Sequence, residues 1–219
     1  MRVPWSVLLR LLPAAALLLC VGIASTAVNF VPVHLPKSVT VELPRNWIVL
    51  SKNQRITLDS WVQAKRELSG AAALSSDLKF AANYYDEQGK IAAIFNIRYY
   101  ADLTVTQAES RAATSADTKE LDDALRTECL ANQQLFGIRI ISWMGTTKQT
   151  INRTVAFVTE YRRANIREGA PFRVRLIRVL NASRSFTITI SYREDQELLL
   201  RPICDCVIQS IRTQERGHL

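Results

Sequence analysis

Histidine is nearly missing from this chain. Its 219 residues include two, His34 and His218, each near a terminus, whereas a Ser-His-Asp or Cys-His nucleophile needs an imidazole inside the domain. Those mechanisms are excluded. Glycine is also scarce, with Gly70, Gly89, Gly137, Gly145 and Gly169 isolated at expected turns and helix ends, so no closely spaced set cradles a phosphate. The carboxylate pairs Asp122-Asp123 and Glu194-Asp195 fall at or near helix starts, where they favour the helix dipole and do not oppose one another across a cleft. No catalytic residue, cofactor site or metal site is assigned, and the chain is expected not to be an enzyme. There is no internal repeat, no low-complexity stretch and no dividing linker.

What is present describes a globular chain. Apolar residues make up 48% and charged residues 22%, ample for one real core. The first 27 residues stand apart. Arg2 and Arg10 precede the apolar run from Leu11 to Ala24, which falls short of the roughly 20 residues that cross a bilayer. Ser25 and Ala27 have the small-residue spacing of a cleavage site. Residues 1–27 are predicted to be a signal peptide, with an uncleaved anchor as the alternative. No later segment has the length and apolarity of a spanning helix, so the mature chain from Val28 is expected in the periplasm. Lipid anchoring through Cys20 is disfavoured, because Leu17, Leu18 and Leu19 precede it where a lipobox has a small residue. Export leaves Cys129, Cys204 and Cys206 where disulfides form. The expected bond joins Cys129 to Cys204 or Cys206, since a Cys204–Cys206 ring would be very tight. A metal role is disfavoured, because three thiolates without a nearby histidine make an incomplete zinc site.

Hydrophobic periods order the rest. Residues 28–36 are expected to be an extension, 37–213 a single domain and 214–219 a tail. Val39, Val41 and Leu43 alternate with polar residues, and Pro44-Arg45-Asn46 turns the chain into Trp47 to Ser51, which predicts an antiparallel pair. Asp59 is placed as the cap of a helix from Ser60 to Leu68. A hairpin joins Leu78 to Tyr85 with Lys90 to Tyr100 through Asp86 to Gly89. Thr106 and Glu109 form a capping box, and a second helix runs from Asp117 to Gln134 with Leu121, Ala124, Leu125 and Cys129 inward. Four strands follow, Ile138 to Gly145, Arg153 to Tyr161, Phe172 to Leu180 and Ser185 to Arg193. In the last of these Phe186, Ile188, Ile190 and Tyr192 share one face. A helix from Asp195 to Arg212 closes the chain, with Pro202 as a possible break. The sum is an α+β domain, a mainly antiparallel sheet of about eight strands packed with two or three helices.

This order, with Leu43-Pro44-Arg45-Asn46-Trp47 at the first turn, resembles the PsbP-like α/β/α sandwich, a family that includes DcrB-type bacterial envelope proteins. The resemblance spans about Lys37 to Arg212. It implies a module that binds other proteins or supports an assembly, with no shared active site.

Arginine is the marked excess. The chain has 21 Arg against 7 Lys, and between Tyr161 and Arg193 eight arginines face one acid, Glu168. Alternation puts Arg173 and Arg175 on one sheet face, with Arg162, Arg163 and Arg167 in the preceding turn and Arg178 further along. Together they predict a cationic patch for phosphate or carboxylate. Replacing Arg173 and Arg175 by Ser is expected to weaken an anionic contact and leave stability nearly unchanged. For an exported chain the partners are an envelope protein or an anionic membrane component and not nucleic acid. Trp47, Trp61 and Trp143 are assigned to the core or an interface. Tyr84, Tyr85, Tyr99 and Tyr100 crowd one hairpin, so alternation sends tyrosine to both faces. The leading reading is a non-enzymatic periplasmic protein that binds a protein or envelope component. The alternative is a small-ligand or lipid carrier with an apolar pocket between sheet and helices, and a sizeable cavity near the tyrosine hairpin would favour it.

Overall fold

Strands form almost where the period-two runs fall, and three of the four α-helices open on capping boxes. The computed structural model describes residues 28–70, 76–100, 104–166, 169–182 and 184–213. The expected signal peptide 1–27 with Cys20, the tail 214–219 and Arg167 lie outside them. In chain order the elements are β1 (Phe30–Leu35), β2 (Val39–Pro44), β3 (Ile48–Val49), α1 (Lys52–Leu68), β4 (Ser76–Tyr85) and β5 (Ile91–Tyr100). They continue with α2 (Gln107–Ala112), α3 (Ser115–Phe136), β6 (Ile140–Ile151), β7 (Thr154–Arg163), β8 (Phe172–Val179), β9 (Phe186–Arg193), α4 (Glu197–Gln209) and β10 (Arg212–Thr213). A seven-stranded antiparallel sheet has the order β3-β4-β5-β9-β8-β7-β6, and a three-stranded sheet the order β1-β2-β10. Among the described residues no helix is long and apolar enough to cross a membrane.

The N-terminal segment departs from expectation. Residues taken for an extension include strand β1, which pairs antiparallel with β2 from Phe30↔Pro44 to Leu35↔Val39. His34 sits in that strand with its Nδ1 3.3 Å from the Thr40 hydroxyl. The segments on either side of Pro44-Arg45-Asn46 do not pair with each other. β2 stays in the small sheet, while β3 crosses to the edge of the large one beside β4. The reason is burial, since Val39, Val41 and Leu43 all point into the core and a local hairpin would leave them half covered.

Helix α1 begins eight residues earlier than Ser60, at Lys52. Ser51 and Gln54 form a reciprocal capping box there, and the polar first turns carry no apolar period to reveal it. Thr106 with Glu109 and Thr114 with Asp117 open α2 and α3 in the same way. Gly137, at φ 67°, ends α3 in the left-handed conformation that a side chain would disfavour. Pro202 lies inside α4 without ending it.

Three layers result. The large core joins β2, the central strands and α4, through Leu43, Phe95, Ile188, Ile190, Leu200, Cys204 and Val207. Helices α1 and α3 cover the opposite face of the sheet, where the apolar cluster is smaller and centres on Tyr161, Phe172 and Val174.

Candidate functional site

Alternation gives the two faces of the large sheet different chemistry. Toward α4 point Phe95 and Ile97 of β5, Ile188 and Ile190 of β9 and Ile177 of β8, all buried. The intervening residues point toward α1 and α3 and are largely polar, namely Asn96, Arg98 and Tyr100, then Thr187 and Thr189, then Leu176 and Arg178. The roof over them is lightly seated. No residue of α1 and, in α3, only Leu125 is buried. Between roof and sheet lies a cavity of about 350 Å³. Its lining includes four arginines, Arg66, Arg98, Arg163 and Arg178, against one carboxylate, Glu128.

The floor is ordered by strand register. Arg98, Thr187 and Arg178 stand directly opposite one another across β5, β9 and β8. The Thr187 hydroxyl and Arg178 Nη2 both donate to Tyr100 Oη, at 3.2 and 3.4 Å. The Arg178 guanidinium also lies 5.5 Å from the centre of the Tyr100 ring. Arg98 Nη2 meets Asp59 Oδ1 of α1 at 2.6 Å, and Asp59 Oδ2 accepts the Leu78 N–H at 2.9 Å. Asp59, expected as a helix cap, instead pins the middle of α1 to the sheet. Its role as a tie is invisible in sequence because Arg98 is 39 residues away.

The arginines expected to form one patch are divided by the sheet. Arg162, Arg173 and Arg175 share the α4 face, because Arg162 is paired with Arg173 and Glu160 with Arg175 across β7 and β8. Arg163 and Arg178 lie on the opposite, cavity face, where Arg163 covers the Phe172 ring at 4.5 Å. On the α4 face Arg162 and Arg175 are met internally and Arg173 only loosely. Arg162 forks onto Glu194 at 2.5 and 2.6 Å, Arg175 reaches Glu160 at 3.1 Å and also Asp205, and Arg173 stands 4.0 Å from Glu197. The Arg175 side chain is only 12% exposed. Replacing it by Ser would strand Glu160 and Asp205, so the expectation of unchanged stability does not hold for that position.

The cysteines are also divided. All three described thiols are free. Cys129 faces the cavity beside Tyr161, whereas Cys204 is in the core under α4 and Cys206 is exposed on that helix. The expected bond from Cys129 to Cys204 or Cys206 is therefore absent. Cys129 on α3 and the α4 cysteines stand on opposite faces with the whole sheet between them, and a disulfide spans at most ~7 Å between Cα atoms. Burial pushes the Cys129 thiol up to about 11 and the Cys204 thiol up to about 12. In a chain beginning at Val28 at pH 8, Cys206 is expected to react at once with a disulfide reagent, Cys129 more slowly through the cleft, and Cys204 at the rate of unfolding. A thiol count in denaturant that is short by two would contradict this arrangement.

Of the expected aromatic residues, Trp47 is in the core, Trp143 stacks on Tyr161 with ring centres 5.4 Å apart, and Trp61 is half-exposed against Phe136. Tyr99 and Tyr100 point to opposite faces as alternation requires. The Tyr99 hydroxyl donates to the Pro36 carbonyl at 2.6 Å, and Tyr100 joins the cavity.

Layer order and strand topology define a PsbP-like α/β/α sandwich. The solution structure of cyanobacterial PsbP (CyanoP) from Synechocystis shares this fold. It is 12% identical with a TM-score of 0.52, over 89% of this chain and 97% of that one. LpqN of Mycobacterium tuberculosis, described as involved in cell envelope biogenesis, is 10% identical with a TM-score of 0.42, over 84% of this chain and 89% of that one. A Bacteroides thetaiotaomicron protein is 10% identical with a TM-score of 0.43, over 83% of this chain. The chain spans about half of that protein, 47%. No family model matches the sequence, and no curated protein does.

Proposed function

We propose that this chain is a non-enzymatic, exported periplasmic protein that binds an envelope component, and that the component enters the cavity under α1 and α3. The observation that carries the reading is the cavity itself. At about 350 Å³ it falls within the roughly 300–1,000 Å³ of small-molecule sites, and its floor is the polar face of an otherwise well-cored sheet. Tyr100, from the hairpin singled out in the sequence, lines it. A carrier is thereby favoured over a flat basic docking face, because Arg162 and Arg175 on the α4 face are held in close ion pairs.

The test is retention of a ligand. Mature protein is soaked in a total extract of envelope lipids and metabolites, washed and examined by native mass spectrometry. One molecule per chain is expected to be retained. Thr189→Phe, which fills the cavity floor, is expected to abolish retention with the unfolding midpoint little changed. Retention of nothing by the wild type, or equal retention by the variant, would overturn the proposal.

A further inference from the structure

Resting on that reading, the cavity also specifies the chemistry of its ligand. We infer that Arg98, Tyr100, Thr187 and Arg178 form a headgroup subsite, and that the ligand is a small anionic amphiphile, a phosphate or carboxylate on a short apolar segment.

Register and charge supply the argument. Adjacent strands lie about 4.8 Å apart, so Arg98 and Arg178, flanking Thr187 on one face, have backbones roughly 10 Å apart. That separation lets two forked guanidinium groups converge on one oxyanion above Thr187. Tyr100 Oη accepts from both Thr187 and Arg178, which leaves its own proton to donate to a third oxygen.

Arg178 is lightly held compared with Arg162 across the sheet and with Arg193 at the end of β9. Its carboxylate neighbour, Glu128, is 3.9 Å away and half-exposed, whereas Arg162 and Arg193 have carboxylate oxygens at 2.5 and 2.7 Å. At Arg178 a ligand oxyanion therefore has little to displace, while Arg98 keeps Asp59 on its Nη2 and offers the rest of its fork. Four arginines line the cleft against Glu128 and the Asp59 that pairs with Arg98, an excess of positive charge that an anion relieves.

The rest of the cavity is of the opposite character. Leu125 and Phe136 of α3, Ile140 of β6 and Leu176 of β8 line it. Leu176 lies two residues along β8 from Arg178, on the same face. A headgroup over Thr187 thus has a continuous apolar wall for its tail.

Calorimetric titration of the mature protein tests this with octyl phosphate, octanoate, octyl glucoside, octylammonium and inorganic phosphate, each below its aggregation limit. Octyl phosphate or octanoate is expected to bind at one site at least about tenfold more tightly than the neutral and cationic probes. Which of the two wins tells phosphate from carboxylate. Inorganic phosphate is expected to bind more weakly than octyl phosphate, because it leaves the apolar wall uncovered. Arg178→Gln is expected to lower affinity for the anionic amphiphile by about tenfold or more, with Arg178→Lys between it and the wild type. Unfolding midpoints of both variants report whether the fold is kept, and the lysine variant carries the test if the glutamine variant does not fold.

Equal binding of octyl glucoside, lost in Thr189→Phe, would overturn the anionic inference while leaving the cavity as a carrier site. Inorganic phosphate binding as tightly as octyl phosphate would overturn the amphiphile. Unchanged affinity in folded Arg178→Gln would overturn the subsite. Absence of saturable binding by every probe would overturn this inference, and the binding-protein reading falls only if the envelope extract also yields nothing.

Discussion

Ile188→Ala is expected to destabilise the protein by about 2–5 kcal/mol, while Thr189→Ala, one residue on, costs less than about 0.5 kcal/mol. Both lie at the middle of β9, so strand propensity and position are nearly the same. They differ in the face they serve. Ile188 is fully buried in the large core between the sheet and α4, where deleted methyl groups leave a cavity that close-packed neighbours cannot fill. Thr189 lines a cleft already present, under helices that bury almost nothing against it. Urea unfolding of the two variants measures the contrast. Similar losses at both positions would mean that the α1 and α3 layer carries as much of the stability as the α4 layer, and the cavity would then be part of the core.

Asp86→Asn is expected to lower stability at neutral pH, with a loss that shrinks as the solution is acidified. Asp86 sits in the β4–β5 turn, where its Oδ1 accepts the N–H groups of Gln88 and Lys90 and its Oδ2 meets Arg193 at 2.7 Å. The two side chains are 4% and 10% exposed. Burial alone would raise the Asp86 carboxyl, but the Lys90 N–H and the Arg193 guanidinium outweigh it and hold the group below its usual value of 3.8. A carboxyl whose value is depressed by folding stabilises the folded state above its unfolded value, and that contribution disappears as pH falls through the folded one. The wild type should therefore lose stability below about pH 4, and Asp86→Asn should lose less over the same range. The gap between the two urea midpoints, widest at pH 7, is expected to close toward pH 2. Glu194, depressed chiefly by its hydrogen bond from Arg162, adds to the same acid limb. A gap independent of pH would show that the Asn variant acts through the turn geometry and not through the charge.

Both results turn on contacts far apart in the chain. Arg193 is 107 residues from Asp86, yet each had a clear local reading, as the end of a strand and the start of a turn. Neither local reading shows the pair. The same holds for Asp59 and Arg98, where a short side chain with good capping chemistry serves as a tie between helix and sheet. Arg173 and Arg175 show the reverse case. Alternation placed them correctly on one face, but which element covers that face depends on the path of α4, whose Asp205 and Glu197 meet them there.

Local chemistry by itself determined the α+β class, the β4–β5 hairpin, the Thr106 cap, the strands from β6 to β9 and the inward face of β9, because each depends on hydrophobic period or on hydrogen bonds between near neighbours. Tertiary structure alone decided that β1 joins the domain, that β2 and β3 part company, that Cys129 is separated from Cys204 and Cys206, and that the arginines divide between ion pairs under α4 and a cavity under α1 and α3. These outcomes depend on which face of the sheet each helix covers. A period-two strand is compatible with either arrangement, and only the long-range packing of α4 on one side and α1 and α3 on the other selects between them.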